Sequence, residues 1–388
     1  MKILVVSGMF PPMRTGTAFY TQNLSLALKS IGHQVTVISL EVGETIDDLG
    51  LDVRRLPAIG LPMKNFFKHF RICSLYPGNW FRVRRIADEI DADAVLLVNH
   101  YLDIAFPAIF AARRRRIPLL CSVGTQLQSL NPKRHRILSF LDRLICGKFV
   151  FAFCSRVIAW DSQIRRYLLD VQGETLADKI VEVNYGVNGD PGQMFSVNHD
   201  YYAKGIIIGV GAVSEQRSFV PLVRAFALLH AEMPNLRLRI IGHVYYDAAI
   251  KVANALGVAD AVTFLGEQSH ERVIMEMNGA DVFYSSLTGK YSGLGTAAIE
   301  AMLQGVPTVA NAPLDLFGTA NMENGRHLVQ LLDLEPKHIA ASIRPLLLDE
   351  SVRRKVGQGG RDFVSRYLNW QVVAKDMENI LLESMRND

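Results

Sequence analysis

Residues 282–310 read VFYSSLTGKYSGLGTAAIEAMLQGVPTVA, and this stretch is the most informative part of the chain about its architecture. The apolar runs at 282–285 and 308–310 are short and continuous, as in strands buried on both faces of a parallel sheet. Between them, Gly293 and Gly295 form a turn that leads into a helix. A strand, a glycine-rich turn, a helix and a second strand in this order predict a doubly wound α/β domain. Ligands bind such domains beyond the carboxyl ends of the strands.

The same alternation of short apolar runs and helical stretches extends over the rest of the chain. Further runs lie at residues 3–6, 35–40, 94–98, 118–123 and 157–159, and again at 206–210, 238–241 and 262–265. A polar stretch containing Gly and Pro, around residues 188–204, separates the two series. We therefore predict two doubly wound, Rossmann-like domains, residues 1–190 and 191–370, that face each other across a cleft. Residues 371–388 follow Asn369 with an amphipathic pattern and are predicted to form a terminal helix.

The bulk composition agrees with two domains of an intracellular enzyme. The 388 residues exceed the length at which a single core stops growing, about 250–300 residues. The four cysteines show no spacing typical of a metal site or a redox pair, which favours a reducing compartment. The short apolar run after Met1 ends at Pro11 and predicts a strand rather than a signal peptide. We expect a cytoplasmic protein without a bound metal.

The positive charge is concentrated in the first half of the chain. Residues 1–190 hold 24 Lys and Arg against 17 Asp and Glu, whereas the remainder holds 18 against 21. Basic and aromatic residues are interleaved at Lys64, Phe67, Lys68, Arg71, Arg82, Arg84 and Arg85, and four arginines follow at 113–116. Two interpretations remain open: a surface for the anionic inner face of the cell membrane or for an acceptor, and a solvated charged face. No nucleic-acid-reading module accompanies the charge, so nucleic acid is not expected as a partner.

The loops that leave two of the second-half strands carry candidate groups for binding a phosphate. The amides of Gly295, Thr296 and Ala297 open a helix and can point at phosphate oxygens. Glu300 lies one turn further along and can accept two hydrogen bonds from a ribose diol; alternatively, it is a structural glutamate of its own helix. Arg217 follows the strand at 206–210 and can hold a pyrophosphate through two hydrogen bonds, unless it is a solvated arginine.

Candidates elsewhere are weaker. Gly16 lies in the turn after the first strand, which is either an anion site or an ordinary tight turn. His100 ends a strand and can contact an acceptor hydroxyl or transfer a proton, although a satisfied structural histidine fits equally well. His243, after Gly242, is expected only to line the pocket.

Residues 290–307 resemble the signature of the GT-B retaining glycosyltransferases of the family 4 type, Glu-Gly-Phe-Gly-x-x-x-x-Glu-Ala-x-x-x-Gly-x-Pro. The match is at Gly293, Gly295, Glu300, Ala301, Gly305 and Pro307. The resemblance extends over nearly the whole chain, through Phe10-Pro11-Pro12 with Gly16, Val187, Gly266, Asp281-Val282-Phe283 and Trp370.

The resemblance implies transfer of a sugar from a nucleoside-diphosphate sugar with the anomeric configuration kept and no obligatory metal. By position, Arg217 would hold the diphosphate, Glu300 the ribose and residues 295–297 the phosphate oxygens, while Gly16 would close the site from the other lobe. Trp370 would open a helix that crosses back onto the first domain. The expected donor-binding set is Gly16, Gly211, Gly242, His243, Glu267, Ser292, Gly293, Leu294, Gly295, Thr296, Ala297 and Glu300, and the expected catalytic set is Arg217, Glu300, Lys290 and His100.

Three positions depart from the family pattern. Ser292 stands where the first signature glutamate is usual, Ala212 where an arginine is usual, and Gly124 where a first-domain histidine is usual. These departures imply slow turnover, a different donor, or recruitment of Lys290 as a replacement cation. The acceptor is expected to be a glycan or a lipid-linked glycan of a surface polysaccharide.

Two other functions stay open at this point. One is a binding or scaffold protein that kept the fold and lost turnover. The other is a sugar-nucleotide epimerase or a glycan phosphorylase, because one fold can carry different chemistries. A phosphorylase would carry a pyridoxal-linked lysine motif, which the sequence does not show.

Overall fold

A computed structural model describes residues 1–387 except 14, 44–47, 61–70, 128, 130, 188–204, 218 and 319. The chain divides into an N-terminal unit, Met1–Gly186 with Trp370–Asp388, and a C-terminal unit, Val187–Asn369. The domain boundary expected after residue 190 falls within the stretch 188–204, which lies outside the described residues. The predicted α/β class with two parallel sheets is confirmed.

The N-terminal unit is built on a seven-stranded parallel sheet. Its strands, with a separate antiparallel pair formed by β4 and β5, are β1 Lys2–Ser7, β2 Gln34–Leu40, β3 Asp52–Leu56, β4 Ile59–Gly60, β5 Arg71–Ile72, β6 Ala94–Val98, β7 Leu119–Val123, β8 Arg156–Ala159 and β9 Ile180–Glu182. The strand order is β3-β2-β1-β6-β7-β8-β9, so the direction of winding reverses between β1 and β6.

Five helices in the described part of this unit come before the C-terminal unit in the chain. They are α1 Gly16–Ser30, α2 Pro77–Glu89, α3 Ala105–Arg115, α4 Pro132–Leu141 and α5 Ser162–Gln172. A π-helical turn, Asp142–Gly147, continues α4, and short 3₁₀ turns follow at Phe151–Phe153 and Glu174–Lys179. Asn131 begins α4 by accepting hydrogen bonds from the amides of Lys133 and Arg134 at 3.0 and 3.2 Å.

The C-terminal unit repeats the design with six parallel strands. These are β10 Ile206–Val210, β11 Arg237–Ile241, β12 Val262–Gly266, β13 Val282–Ser285, β14 Thr308–Ala310 and β15 Val329–Gln330. Its helices are α6 Val220–Glu232, α7 Ala248–Ala255, α8 His270–Asn278, α9 Thr296–Leu303, α10 Pro336–Leu348 and α11 Glu350–Tyr367, with a 3₁₀ turn at Ala259–Ala261. The order β12-β11-β10-β13-β14-β15 reverses direction between β10 and β13.

Each unit has its own hydrophobic core, and the central strands of each sheet are apolar on both faces. Leu4 and Val5 of β1 and Ile207 and Ile208 of β10 have no solvent exposure. In the N-terminal unit the core lies between the sheet and α1; in the C-terminal unit it lies between the sheet and α6 and α10. Burial on both faces explains why these strands read as continuous apolar runs.

The last helix, α12 Trp370–Asn387, packs within the N-terminal unit. Trp370, Val373 and Met377 are buried in the same core as Tyr20 of α1. Gly186 makes room for the indole, since a Cβ there would lie 2.6 Å from Cδ2 of Trp370. The backbone amide of Val187 donates to the carbonyl of Leu368 at 2.8 Å, so the C-terminal unit begins and ends at neighbouring segments of the chain.

Two further features bear on the environment of the protein. The four cysteines are buried and unpaired. Of the helices in the described ranges, none is long and apolar enough to cross a bilayer.

Candidate active site

The strand order places the predicted donor-binding residues on two adjacent loops. The winding of the C-terminal sheet reverses between β10 and β13, and ligands of open α/β sheets bind at such a switch point. Arg217 lies on the loop that leaves β10, and the glycine-rich turn at 293–295 lies on the loop that leaves β13. The two stretches that the sequence singled out therefore meet at one edge of one sheet.

Arg217 reaches from its own loop to the start of α9. A Cβ at Gly295 would lie 3.1 Å from Nη2 of Arg217, and a Cβ at Gly211 would lie 1.9 Å from Nη1. Gly211 also has φ +135°, which only glycine adopts readily, so both its backbone and its missing side chain make room for the guanidinium. Gly211 thus has a packing role that its position in the sequence alone did not reveal.

The guanidinium of Arg217 has no carboxylate partner among the described residues. Its Nε is buried without a hydrogen-bond partner in that part of the chain, and burial lowers the pKa of the group below its ordinary value. Arginine stays charged despite such a shift. A buried cation without an anion costs free energy, and an incoming anion removes that cost. The arrangement is suited to an anionic ligand.

The loop after β13 is held in place from both sides. The amide and hydroxyl of Thr288 donate to the carbonyl of Gln216, at 2.9 and 3.0 Å, and so join this loop to the one carrying Arg217. On the other side, Asn311 accepts from the amide of Leu287 at 3.1 Å and donates to its carbonyl at 2.9 Å. The hydroxyl of Ser292 donates to the carbonyl of Gly289 at 2.9 Å, within the loop itself.

Helix α9 begins at this loop with unsatisfied amides. Gly295 is the N-cap residue of this helix, and it has no side chain that could accept a hydrogen bond from an amide of the first turn. The first amides of a helix lack partners within the helix and carry a partial positive charge. Contact of the Thr296 and Ala297 amides with phosphate oxygens stays a prediction.

Glu300 lies one turn further along α9 and is largely buried. Burial raises the pKa of its carboxyl group from 4.5 to about 7. Its nearest ionic neighbour is His270, whose Nε2 lies 3.8 Å from Oε1 of Glu300. The carboxyl does not cap its own helix, since it lies in the second turn, and its raised pKa is typical of functional sites.

The remaining expected donor-binding residues surround these loops. Gly242 has φ +142°, and a Cβ there would lie 2.2 Å from the carbonyl oxygen of Gly211, so these two glycine-bearing turns are in close contact. His243 is exposed, with its ring centroid 4.3 Å from that of Tyr245, and Glu267 is exposed in the loop after β12. Lys290 is exposed with Nζ 5.1 Å from the ring centroid of Tyr291, and Leu294 is buried.

Comparison with protein families covers both units. Residues 14–190 match the model "Glycosyltransferase Family 4", and residues 196–363 match "Glycosyl transferases group 1". The glycogen synthase of Mycobacterium tuberculosis is 22% identical over 412 residues, covering 100% of this chain and 96% of that protein. The capsular polysaccharide biosynthesis glycosyltransferase CapM of Staphylococcus aureus is 22% identical over 283 residues, 69% of this chain and 70% of that protein.

Solved structures give the same result for the fold. The crystal structure of Anabaena HepE in complex with UDP and glucose superimposes with a TM-score of 0.73 at 16% identity, over 98% of this chain and 99% of that chain. This chain is a GT-B glycosyltransferase of the family 4 type. The resemblance carried by residues 290–307 is confirmed.

In the N-terminal unit of this glycosyltransferase, the residues at the switch point form a hydrogen-bonded cluster around Asn99. The residue follows β6 with φ +65°, and its side-chain amide donates to the hydroxyl of Thr17 at 2.8 Å. Its side-chain carbonyl accepts from the amide of Gly124 at 3.2 Å. Asn99 thus connects α1 to the loop after β7. Its place at the carboxyl end of a strand is a signal that could have identified it, although the prediction centred on the adjacent His100.

Gly16, at the start of α1, belongs to the same edge of this sheet. The side chain of Thr15 accepts from the amide of Ala18 at 3.1 Å and begins the helix. A Cβ at Gly16 would meet no atom of the described residues within 4 Å. Its predicted part in closing the donor site stays a prediction.

His100 is a core residue of the glycosyltransferase. Its side chain has no exposure, and its Nε2 lies 3.2 Å from Oδ1 of Asp142. The ring stacks on Phe151 with centroids 5.2 Å apart. Contact with an acceptor hydroxyl would need an accessible ring, so this geometry favours the structural alternative over the predicted catalytic one.

The buried pair of His100 and Asp142 is stabilised by the ionised Asp142 carboxylate. Burial acts to raise the pKa of its carboxyl group, but the charge and hydrogen bond of His100 and the hydroxyl of Tyr167 outweigh it and lower the pKa. Asp142 stands at the start of the π-helical turn and 42 positions from His100, which is why no local sequence pattern indicated the pair.

The departure at Gly124 has a packing explanation. A Cβ at Gly124 would lie 2.0 Å from Cε3 of Trp160, so the indole occupies the space that a histidine side chain would need. Trp160 is held there by stacking on Tyr20, with centroids 3.9 Å apart, and by donating to the hydroxyl of Ser122 at 2.7 Å. The departure is therefore a property of a whole aromatic cluster and not of one residue.

The predicted basic surface is described in part. Lys64, Phe67 and Lys68 lie outside the described residues. Arg71 lies in β5, and Arg82, Arg84 and Arg85 are exposed on α2, where Arg84 lies 3.5 Å from Asp88. The α2 arginines thus face solvent, as both open interpretations require.

Proposed function

We propose that this glycosyltransferase moves a sugar, with retention of configuration, from a nucleoside-diphosphate sugar to a glycan or lipid-linked acceptor of a surface polysaccharide. The observation that carries the donor assignment is the Arg217 guanidinium, half-buried beside Gly295 without a carboxylate partner in the described chain. A diphosphate seated there would receive hydrogen bonds from Arg217 and from the amides that begin α9.

The chemistry follows from where negative charge develops. When the bond between the anomeric carbon and the phosphate oxygen breaks, its electron pair stays on the diphosphate. Fixed donors aimed at that oxygen stabilise the transition state more than the ground state. Glu300 would bind the ribose diol through its carboxylate and hold the nucleotide in register with Arg217. Retention requires the acceptor hydroxyl to enter on the face from which the diphosphate leaves.

The relatives support the donor class and the acceptor class. HepE was crystallised with UDP and glucose, and one relative from Corynebacterium glutamicum, 26% identical over 171 residues, is named a GDP-mannose-dependent mannosyltransferase. CapM is named for capsular polysaccharide biosynthesis. A UDP-sugar is therefore the first donor to test, and a GDP-sugar the second.

The decisive experiment measures release of nucleoside diphosphate from a panel of nucleotide sugars, with and without acceptor glycans. Arg217→Ala should lower kcat by about a hundredfold or more, the usual cost of removing one such donor. Arg224→Ala is the matched control, because Arg224 is exposed on the next helix of the same unit. Equal rates in Arg217→Ala and Arg224→Ala would remove the donor assignment.

The departures at Ala212 and Ser292 make Lys290 a second cation to examine. We infer that its exposed ammonium group reaches the diphosphate in place of the usual arginine. Lys290→Ala should then lower kcat by a smaller factor than Arg217→Ala, and Lys290→Arg should restore part of the rate. A rate unchanged in Lys290→Ala would show that the glycosyltransferase works with one cation.

A further inference from the structure

A pocket of about 550 Å³ lies on the surface of the N-terminal unit, between α2, α3 and residues 149–153. Its apolar lining comes from Trp80, Phe106, Ile109, Phe110, Phe149 and Phe153. Two consecutive arginines, Arg113 and Arg114, complete the lining. None of these residues belongs to the proposed donor-binding set.

The two arginines are held by aromatic rings. Cζ of Arg113 lies 4.8 Å from the ring centroid of Phe153, and Cζ of Arg114 lies 5.3 Å from that of Phe110. Neither forms an ion pair with a described carboxylate, whereas Arg115 reaches Asp88 and Asp91, each at 2.9 Å. Cation–π contacts orient a guanidinium without neutralising it. The pocket therefore presents two positive charges to an anion.

The segment of chain that leads to the pocket residues Phe149 and Phe153 exposes many apolar side chains. Phe149 is 53% exposed, and Phe81 beside Trp80 on α2 is 64% exposed. Helix α4 buries none of its residues. Of the 22 large apolar side chains that are exposed in the described chain, seven fall between residues 137 and 153. Single exposed apolar residues are ordinary, but such a concentration marks an interaction surface.

We propose that this face binds the surface of an anionic phospholipid bilayer and that the pocket takes a hydrocarbon chain of one lipid while its phosphate pairs with Arg113 and Arg114. The chemistry of the lining separates this ligand from a sugar or a nucleotide, which would need several polar partners. Among the described side chains that line the pocket, only the two guanidinium groups remain as polar partners, because the indole N–H of Trp80 already donates to the carbonyl of Ser74 at 2.9 Å.

The exposed basic residues of α2 and α4 suit the same partner. Exposed Arg82 and Arg85 lie on α2, and Lys133, Arg134 and Arg136 lie on α4 among the exposed apolar side chains. Each cation close to an anionic bilayer strengthens binding by about fivefold. Aromatic and aliphatic side chains interleaved with basic ones are the pattern of proteins that lie on a membrane.

The first test is flotation of the full-length protein with vesicles of phosphatidylcholine alone or mixed with phosphatidylglycerol. The wild type should bind the mixed vesicles at least tenfold more strongly. Arg113→Glu/Arg114→Glu should lose more than tenfold, and Phe149→Glu/Phe153→Glu should lose binding to both vesicles. Leu332→Glu/Lys337→Glu is the matched control, because both residues are exposed in the C-terminal unit. Recovery of the arginine variant equal to that of the control would overturn the proposal.

The second test asks whether a chain enters the pocket. Vesicles whose lipids carry bromine on the acyl chains quench nearby tryptophan fluorescence. Trp160 and Trp370 are 8% and 7% exposed, so quenching should come from Trp80 and disappear in Trp80→Phe. Equal quenching in Trp80→Phe and the wild type would place the lipid elsewhere. Because nucleoside diphosphate release does not use this pocket, all four variants should keep the wild-type rate on a soluble acceptor, which separates this proposal from the proposed function.

Discussion

The Glu300 carboxyl group should make the stability of the protein depend on pH. Its folded-state pKa of about 7 lies above the ordinary 4.5, so the folded protein holds a proton that the unfolded chain releases. Below pH 4.5 both states are protonated and no stability is lost. Between pH 4.5 and 7 the unfolded state ionises first, and stability falls as pH rises.

The Glu300→Gln variant should remove this dependence. Glutamine has the same shape and no charge to desolvate, so the variant should be more stable than the wild type by about 3 kcal/mol at pH 8 and equal to it near pH 4. Thermal unfolding at both pH values measures the difference. A constant offset between the two proteins at all pH values would contradict the raised pKa. Nucleotide binding should be weaker in the variant, since glutamine offers one acceptor oxygen where a carboxylate offers two.

At position 124, the neighbouring Trp160 leaves no space for a side chain. Gly124→Ala places a methyl group in the indole of Trp160 and should cost about 1–3 kcal/mol by overpacking. Gly78→Ala on α2 is the matched control, because a Cβ there has no neighbour within 4 Å, and it should be neutral or stabilising. Urea unfolding compares the two. Equal midpoints would mean that the aromatic cluster can move, and that a histidine at 124 is sterically possible.

The interior strands and the edge strand β12 were predicted from their apolar runs, whereas the edge strands β3, β9 and β15 were not. The runs at 94–98, 206–210 and 282–285 coincide with β6, β10 and β13. Strands β3, β9 and β15 lie at the edges of their sheets, where one side of the ladder is open. The residues of β3 alternate between exposed and half-buried before Leu56, so they lack the continuous apolar run by which interior strands are identified.

The residues proposed for the donor site were identified from the sequence because they belong to local motifs at strand ends. Arg217 and Gly295 were identified from their loops, and the switch point explains why they meet. The contacts of Thr288 with Gln216 and the burial of His100 against Asp142 depend on side chains far apart in sequence. Such pairings are decided by tertiary packing, and a single sequence carries no local signal for them.

The terminal helix is an element whose attachment can be measured. Trp370 is buried beside Tyr20 and Tyr185, with ring centroids 5.6 and 5.5 Å away. Trp370→Ala should cost about 3–5 kcal/mol, the usual loss for a buried tryptophan. Leu382→Ala on the same helix is the control, since that side chain is 37% exposed and its loss should cost much less. If thermal unfolding gave equal shifts for both variants, the helix would not depend on its first residue for attachment.

The path of the complete chain makes the C-terminal unit an insertion within the N-terminal one. Val187 pairs with Leu368 and Asn369 where the chain enters and leaves the C-terminal unit, and residues on both sides of that point, Gly186 and Trp370, are in contact. The C-terminal unit is thus one continuous segment with its own core, whereas the N-terminal unit needs two segments.

This arrangement predicts different behaviour for two fragments. Residues 187–369 should fold alone, with cooperative thermal unfolding, and should bind UDP, because the loops that carry Arg217 and Gly295 are both within the segment. Saturation at about 100 times the dissociation constant should stabilise it by about 2.7 kcal/mol. Residues 1–186 should unfold or aggregate, since removing α12 exposes Tyr20 and Leu24, which are fully buried in the intact chain. Adding Arg217→Ala to the C-terminal fragment should abolish the nucleotide effect while leaving its unfolding cooperative. A fragment that folds and ignores every nucleotide would show that the donor site needs the N-terminal segments, because the switch-point loops alone would then be insufficient to hold a diphosphate.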